Sequence, residues 1–179
     1  MDSTTYPLRD GRQVIVREAR PEDAAPLVEH FSAAYAESNF LTGGSGEFRR
    51  SVPEQERLIR AYAEEPLKLA LVAIVETQLV ASLTFAGKPQ PRVRHAGDVG
   101  MAVRQAFWNL GVGSAMLDFL IRWARTTSVI TKVNLRVRSD NERAIRLYRR
   151  MGFVTEGTLS REHLIDGHYF SQDCMGLEL

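Results

Sequence analysis

The sequence is short of the features that mark secreted and membrane proteins. One of its 179 residues is cysteine, Cys174, so no disulfide can form within the chain, and a reducing cytoplasm is the simplest compartment. The longest uninterrupted apolar run, residues 69–75, falls far below the ~18 residues that a membrane-spanning helix needs. Residues 1–10 contain no apolar stretch of the kind found in signal peptides. We therefore expect a cytoplasmic protein that does not enter a membrane.

The sequence also lacks an excess of charge of either sign. Its 23 Lys and Arg against 22 Asp and Glu leave a formal charge of +1, which argues against a general attraction to nucleic acid. The four histidines and the one cysteine lack the spacing of metal ligands, so we expect no metal site. With 44% hydrophobic residues and no repeat or linker, residues 1–179 are expected to form a single domain.

The periodicity of the apolar residues predicts a mixed α/β domain with the element order β-α-α-β-β-β-α-β-α-β-β. The dipeptide Asp166-Gly167 favours a type I′ hairpin, and residues 139–142 have the spacing of a capping box at a helix start. The predicted strands are residues 13–18, 69–75, 79–86, 98–103, 132–138, 153–165 and 168–179. The predicted helices are residues 21 to about 35, 51 to about 63, 111 to about 125, and 139–151.

One strand-to-helix connection has the composition of an anion-binding loop. Residues 103–114 (VRQAFWNLGVGS) place Gly111 and Gly113 where backbone amides can converge on a phosphate. The segment is neither a Rossmann fingerprint, because no third glycine stands at position 116, nor a P-loop, because no Gly-Lys-Ser/Thr follows. From spacing alone, a phosphate cradle and a simple glycine turn into a helix are both open.

Two neighbouring segments together resemble a known family. Residues 100–103 (GMAV) and 107–117 (FWNLGVGSAML) look like the acyl-CoA motif of the GNAT superfamily of N-acetyltransferases. Residues 141–153 (NERAIRLYRRMGF) resemble the superfamily's next motif, a helix that ends in Gly-Phe before a strand. One departure is Trp108, which stands three residues before Gly111 where the superfamily usually has Arg or Gln.

The resemblance implies a GNAT fold, a mixed and mostly antiparallel sheet with flanking helices and a V-shaped splay that holds acyl-CoA. It implies an N-acetyltransferase that moves an acetyl group from acetyl-CoA directly to a primary amine. A non-catalytic acyl-CoA-binding regulatory module and a structural interaction domain without a cofactor are the alternatives. The residues expected at the cofactor are Met101, Ala102, Val103, Trp108, Asn109, Leu110, Gly111, Val112, Gly113, Ser114, Asn141, Ala144 and Tyr148.

The resemblance also implies candidates for the chemistry of transfer. Tyr148 is in the position of a tyrosine that gives a proton to the leaving thiolate, and Asp98 is the acid nearest to a position often used as general base. His95 is a second candidate base, and His168 and Glu37 are weaker ones. A backbone N–H within residues 101–103 is the expected oxyanion donor. Cys174 lies beside Asp173, and nothing in its sequence neighbourhood would activate the thiol, which argues against an acetyl-cysteine intermediate.

Charge is distributed unevenly between the two halves of the chain. Residues 99–150 hold ten Lys and Arg against three acids, whereas residues 20–65 hold nine acids against five arginines. The first set suits an anionic coenzyme, and the second suits a cationic acceptor. In the superfamily that the sequence resembles, the loop between the first two helices commonly forms a wall of the acceptor site. The resemblance therefore implies Glu37, Phe40 and Glu47 at the acceptor, which would be a small amine or a protein N-terminus. A homodimer is left open.

Overall fold

The computed structural model describes residues 3–179, which form an eight-stranded sheet flanked by four α-helices. The strands are β1 (Thr4–Pro7), β2 (Gln13–Glu18), β3 (Lys68–Val75), β4 (Gln78–Gly87), β5 (Ala96–Val103), β6 (Lys132–Arg138), β7 (Val154–Ile165) and β8 (His168–Glu178). The helices are α1 (Ala24–Glu37), α2 (Val52–Ala63), α3 (Val112–Thr126) and α4 (Glu142–Arg150). Within the described chain, none of these helices combines the length and apolarity required to cross a membrane.

The sheet opens in its middle. Its strand order is β1-β2-β3-β4-β5-β6-β8-β7, and every neighbouring pair is antiparallel except β5 and β6. Those two run parallel and pair only through residues 96–98 opposite residues 132–134. Beyond that point β5 continues to pair with β4, and β6 with β8, so the two halves of the sheet separate. This confirms the expected mixed sheet with a V-shaped splay.

Both faces of the sheet are covered because neighbouring side chains on a strand point to opposite faces. Leu71 and Ala73 of β3 belong to the main core, which includes the apolar stripe of α3. Val72, between them, packs instead with Leu27 of α1 and Ile59 of α2. The helical spacing seen in the sequence thus gives α3 one fully buried face.

Two local predictions are wrong. The strand β1 was not expected, since four residues that end in proline carry little strand signal; it forms by pairing antiparallel with β2. The expected capping box at residues 139–142 is absent. Asn141 is the N-cap of α4 and its Oδ1 accepts the Ala144 N–H at 3.2 Å, while Ser139 Oγ donates to Asp173 at 2.7 Å.

The turn between β7 and β8 follows the sequence prediction. Asp166 and Gly167 both have positive φ, +48° and +79°, as a type I′ turn requires.

Candidate active site

A cleft of about 530 Å³ opens where β5 and β6 separate. Its walls come from residues 99–103 of β5, the loop and first turn of α3, the inner face of α4 and the last residues of β6. Each residue that the sequence assigned to the cofactor lines this cleft, with the exception of Leu110. Leu110 packs on the core, and its carbonyl accepts the Arg9 N–H at 3.0 Å.

The glycine segment forms the floor of one end of the cleft. Gly111, the N-cap of α3, has φ of +110°, a conformation that glycine adopts without strain. Gly113 allows a close approach: a Cβ there would lie 2.8 Å from Leu147 Cδ2 on α4. The first amides of α3 have no acceptor within the helix and lie at its positive end. This arrangement can bind an anion, as the cradle interpretation requires.

Trp108 is fixed in the cleft wall by two contacts. Its indole N–H donates to the Val103 carbonyl at 2.7 Å, which ties the loop to the end of β5. On its face lies the guanidinium of Arg143 from α4, with Cζ 3.3 Å from the ring centroid. Arg143 Nη1 is buried and has no hydrogen-bond partner within residues 3–179. Burial lowers the pKa of Arg143 from its ordinary value, although a guanidinium keeps its charge at neutral pH.

Arginine is the only charged residue type that lines the cleft in the described part of the chain. No carboxylate from residues 3–179 takes part. The cleft lining is therefore cationic, although Arg136, Arg138 and Arg146 form ion pairs with acids outside the lining. The arginines are Arg9, Arg136, Arg138, Arg143, Arg146 and Arg150.

Tyr148 lies on the inner face of α4 and is 9% exposed. Its ring packs against Phe153 with the centroids 5.8 Å apart, so it is both a core residue and a cleft residue. Burial raises the pKa of Tyr148 to about 12, and the positive charge of Arg143 opposes the rise. The hydroxyl is thus protonated throughout the physiological range and can act as a donor.

The candidate bases lie outside the cleft. The Asp98 side chain is 63% exposed, at the last residue where β5 pairs with β6, and is 3.9 Å from Lys88 Nζ. His95 is exposed just before β5, and its carbonyl accepts the N–H of Thr131. His168 is the first residue of β8, where its Nδ1 contacts the Asp166 carbonyl. Cys174, on β8, does not line the cleft either.

The two acids expected at the acceptor are engaged elsewhere. Glu37, at the end of α1, forms an ion pair with Arg104 at 2.8 Å and accepts the Gln105 N–H. Glu47 accepts the Gly44 N–H at 2.8 Å within its own loop. Phe40 does line the cleft, so it is the one of the three that is in contact with the space beside the cofactor site.

Arg138 connects the loop that carries Phe40 to the sheet, and sequence reasoning did not single it out. Its guanidinium binds Asp140 at 2.6 Å, donates to the Asn39 carbonyl at 2.6 Å, and lies over the Phe170 ring with Cζ 3.9 Å from the centroid. It is 5% exposed, which is unusual for arginine. The alternation of apolar and polar residues in residues 132–138 predicted that Arg138 would lie on the polar side of the strand. No local pattern in the sequence therefore indicated that the Arg138 side chain is buried.

Comparisons with known proteins identify relatives of this architecture. Residues 31–153 match the model of the Acetyltransferase (GNAT) family. The chain is 34% identical over 115 residues to the L-amino acid N-acetyltransferase AaaT of Escherichia coli strain K12, a match that covers 64% of this chain and 68% of that protein.

Solved structures share the whole fold. An acetyltransferase of the GNAT family from Streptococcus pneumoniae superimposes with a TM-score of 0.90 at 28% identity, over 93% of this chain and 99% of that one. A proposed acetyltransferase from Salmonella typhimurium, solved with its cofactor acetyl-CoA, gives a TM-score of 0.81 at 19% identity over 93% and 94% of the two chains. The chain therefore shares its fold with these structures, and residues 31–153 match the acetyltransferase family model.

Proposed function

The chain belongs to the GNAT acetyltransferase family and is an acetyl-CoA-dependent N-acetyltransferase, and we propose that its acceptor is the primary amine of a small molecule or of a protein N-terminus. Within this class we favour small amino acids. The name of the Escherichia coli relative, an L-amino acid N-acetyltransferase, supports that choice.

The observation that carries this proposal is the cleft itself. It unites the amides at the start of α3, a half-buried guanidinium whose Nη1 has no hydrogen-bond partner in the described residues, and a protonated tyrosine. Coenzyme A has anionic phosphates, a slender pantetheine arm and a thiol. The unpaired Nη1 of Arg143 and the positive end of α3 suit the phosphates, and the gap between β5 and β6 suits the arm. The residues present therefore fit acetyl-CoA.

Bound acetyl-CoA supplies a thioester whose carbonyl carbon accepts the attacking amine. We propose that a backbone N–H of Met101, Ala102 or Val103 donates to the carbonyl oxygen as negative charge grows on it. The Tyr148 hydroxyl would donate to the departing sulfur. Asp98, which is exposed at the start of the splay, would take the ammonium proton of the acceptor through water, because a protonated amine is no nucleophile.

At the acceptor end of the cleft we propose direct contact with Phe40 and an indirect role for Glu37 and Glu47. The Glu37–Arg104 ion pair and the Glu47–Gly44 hydrogen bond brace the two ends of the segment that carries Phe40. Arg136 and Arg138 line the same cleft. Arg138 is already bound to Asp140. The Arg136 side chain, by contrast, is 61% exposed and lies 3.6 Å from Glu162, so Arg136 can also meet the carboxylate of an amino acid.

A panel of amines tests the proposal. The purified protein would be incubated with acetyl-CoA and each of the amino acids, polyamines, amino sugars and N-terminal peptides, with release of free CoA and the mass of the product as readouts. We expect acetylated product with at least one amino acid. Saturable acetyl-CoA binding without product from any amine would instead support the regulatory module. Product from polyamines or amino sugars alone would contradict the preference for amino acids.

A further inference from the structure

The acyl-CoA motif of this chain lacks its usual polar side chain. Trp108 occupies that position, three residues before Gly111. An indole N–H is a single donor without charge, and here it is already bound to the Val103 carbonyl at 2.7 Å. Trp108 therefore offers a phosphate neither a charge nor a free donor.

A cation from another element lies on the Trp108 ring. Arg143 is the second residue of α4, and its Cζ is 3.3 Å from the centroid of the Trp108 ring. Within the described residues it has no ion pair, and its buried Nη1 has no hydrogen bond. The next arginine along the cleft wall, Arg146, is by contrast paired with Glu142 at 2.9 Å.

Arg143 is half-buried, and a guanidinium that is partly withdrawn from water without a counter-charge is costly for a protein to keep. Stacking on an aromatic ring offsets part of this unfavourable free energy and fixes the orientation of the guanidinium plane. It does not use the N–H groups that lie in that plane. Such a group is preorganised for an anion with several oxygens, since a bidentate contact satisfies two donors together.

The position of Arg143 selects which anion it would meet. Arg143 precedes Leu147 by one helical turn, on the same face of α4. Leu147 is the residue that a Cβ at Gly113 would touch, so this face of α4 packs against the first turn of α3. Arg143 and the amides at the start of α3 therefore line the same end of the cleft.

From this geometry we propose that Arg143, held on the Trp108 ring, binds the pyrophosphate of acetyl-CoA and supplies the charge that position 108 lacks. The proposal rests on the proposed function only in the identity of the ligand. Its test measures the binding of the ligand by titration calorimetry, which requires no acceptor amine. The proposed function could therefore fail for lack of an acceptor while this proposal is still decided.

Three ligands distinguish the contribution of the pyrophosphate to binding from that of the 3′-phosphate. Acetyl-CoA carries the pyrophosphate and the 3′-phosphate, acetyl-3′-dephospho-CoA carries the pyrophosphate alone, and S-acetylpantetheine carries neither. We expect Arg143→Gln to weaken the first two by about 10- to 100-fold and to leave the third unchanged, as for loss of a charge-assisted hydrogen bond. Equal weakening of all three would show a structural role, and weakening of acetyl-CoA alone would assign Arg143 to the 3′-phosphate. Either result, or no weakening, overturns the proposal.

Reciprocal substitution tests whether the two positions are interchangeable. The double variant Trp108→Arg with Arg143→Gln restores a cation at the usual motif position, and we expect it to recover most of the lost affinity for acetyl-CoA. Arg149→Gln is the matched control, since it removes an exposed arginine of the same helix outside the cleft. Arg143→Lys keeps the charge and serves if the glutamine variant does not fold. If Arg149→Gln loses as much affinity for acetyl-CoA as Arg143→Gln does, the effect comes from the overall positive charge of the protein, and the proposal is contradicted.

Discussion

Tyr148 is a core residue to which the proposed function also assigns a part in the chemistry. Its ring packs on Phe153, and the burial that results raises the pKa of the hydroxyl to about 12. A thiol has a pKa of about 8.5, so complete proton transfer from this tyrosine to a thiolate is uphill. We therefore expect Tyr148 to stabilise the leaving sulfur by hydrogen bonding.

Replacing Tyr148 by Phe removes only the hydroxyl. We expect kcat to fall about 100-fold, at the lower end of what a general acid contributes, while the dissociation constant of acetyl-CoA and the melting temperature change little. Steady-state kinetics, calorimetry and thermal melting measure the three quantities. Unchanged turnover with a lower melting temperature would assign Tyr148 to the core alone.

The pH dependence of the same reaction gives a second test of Tyr148. With its pKa raised to about 12, the Tyr148 hydroxyl keeps its proton at all pH values up to about 10. Deprotonation of Tyr148 should therefore cause no fall in kcat within that pH range. The rising limb at lower pH should come from deprotonation of the amine and its base. If kcat of the wild type instead begins to decline with rising pH before pH 9 is reached, this assignment is contradicted.

His30 is a second buried titratable residue, on α1 and 1% exposed. Its Nε2 is 3.1 Å from Ser82 Oγ. Burial, helped by the positive charge of Arg104, lowers the pKa of His30 to about 4. Because the unfolded chain takes up this proton near pH 6.5 and the native state does not, stability is complete above pH 6.5 and declines as the pH falls towards 4.

The contribution of His30 can be isolated by comparison with a variant. Between pH 7 and pH 5 the wild type should lose about 2 kcal/mol more free energy of unfolding than His30→Gln, which has no such proton to take up. Urea unfolding at the two pH values measures both losses. Equal losses in the two proteins would show that His30 is accessible to protons in the native state.

At the scale of elements, the junction of α3 with α4 explains why glycine stands at position 113. A side chain there meets Leu147 of α4 and comes within 3.4 Å of Met101 Cε on β5, at the point where the amides of α3 must stay accessible. Steric bulk and negative charge are thus separable effects at one site.

Gly113→Ala and Gly113→Asp separate them. Both add a Cβ that displaces the flexible end of Leu147, so both should lower the melting temperature by a few degrees, in keeping with an overpacking cost of about 1–3 kcal/mol. Only the aspartate puts a negative charge beside the phosphates. We expect it to abolish measurable acetyl-CoA binding, whereas alanine should weaken binding about 10-fold or less. Similar affinities of the two folded variants would refute the cradle.

The elements also show where sequence reasoning succeeds and why it stops. The helices α2 and α3 and the strand β6 lie at or within one residue of the predicted bounds, because strong periodicity and nearby caps define them locally. The strand β1 depends on pairing with β2, and the N-cap of α4 on the competition between Ser139 and Asn141. Such choices are made by tertiary contacts, which a local pattern does not contain.

The same limit applies to the candidate site. The motifs indicated the cradle and Tyr148, because each of the two motifs is a continuous stretch of the chain that can be recognised by itself. Arg138 and Arg143 gain their surroundings from Asn39, Phe170 and Trp108, which are remote in sequence. Charge counting predicted a basic region beside the glycine cradle, but it gave no sign that arginines from separate parts of the described chain would line one cleft.

For the whole molecule, a ligand that spans the two halves of the sheet should stabilise the fold. Acetyl-CoA at 100 times its dissociation constant contributes about 2.7 kcal/mol, which corresponds to a rise in melting temperature of about 5–10 °C for a chain of this size. Differential scanning fluorimetry with a concentration series measures the rise. Gly113→Asp should show none, and a rise in that variant would place the ligand elsewhere.

The splay between β5 and β6 has one more consequence. It gives the sheet two edges in its interior, along residues 99–103 and 135–138, in addition to the outer edges at β1 and β7. Open edges are the usual starting points of aggregation, because a strand from another molecule can add to them. An added strand needs about 4.8 Å to each neighbour, and two diverging strands offer that spacing at a single point along their length. The divergence that admits a slender ligand therefore prevents a strand from another molecule from pairing with both inner edges at once.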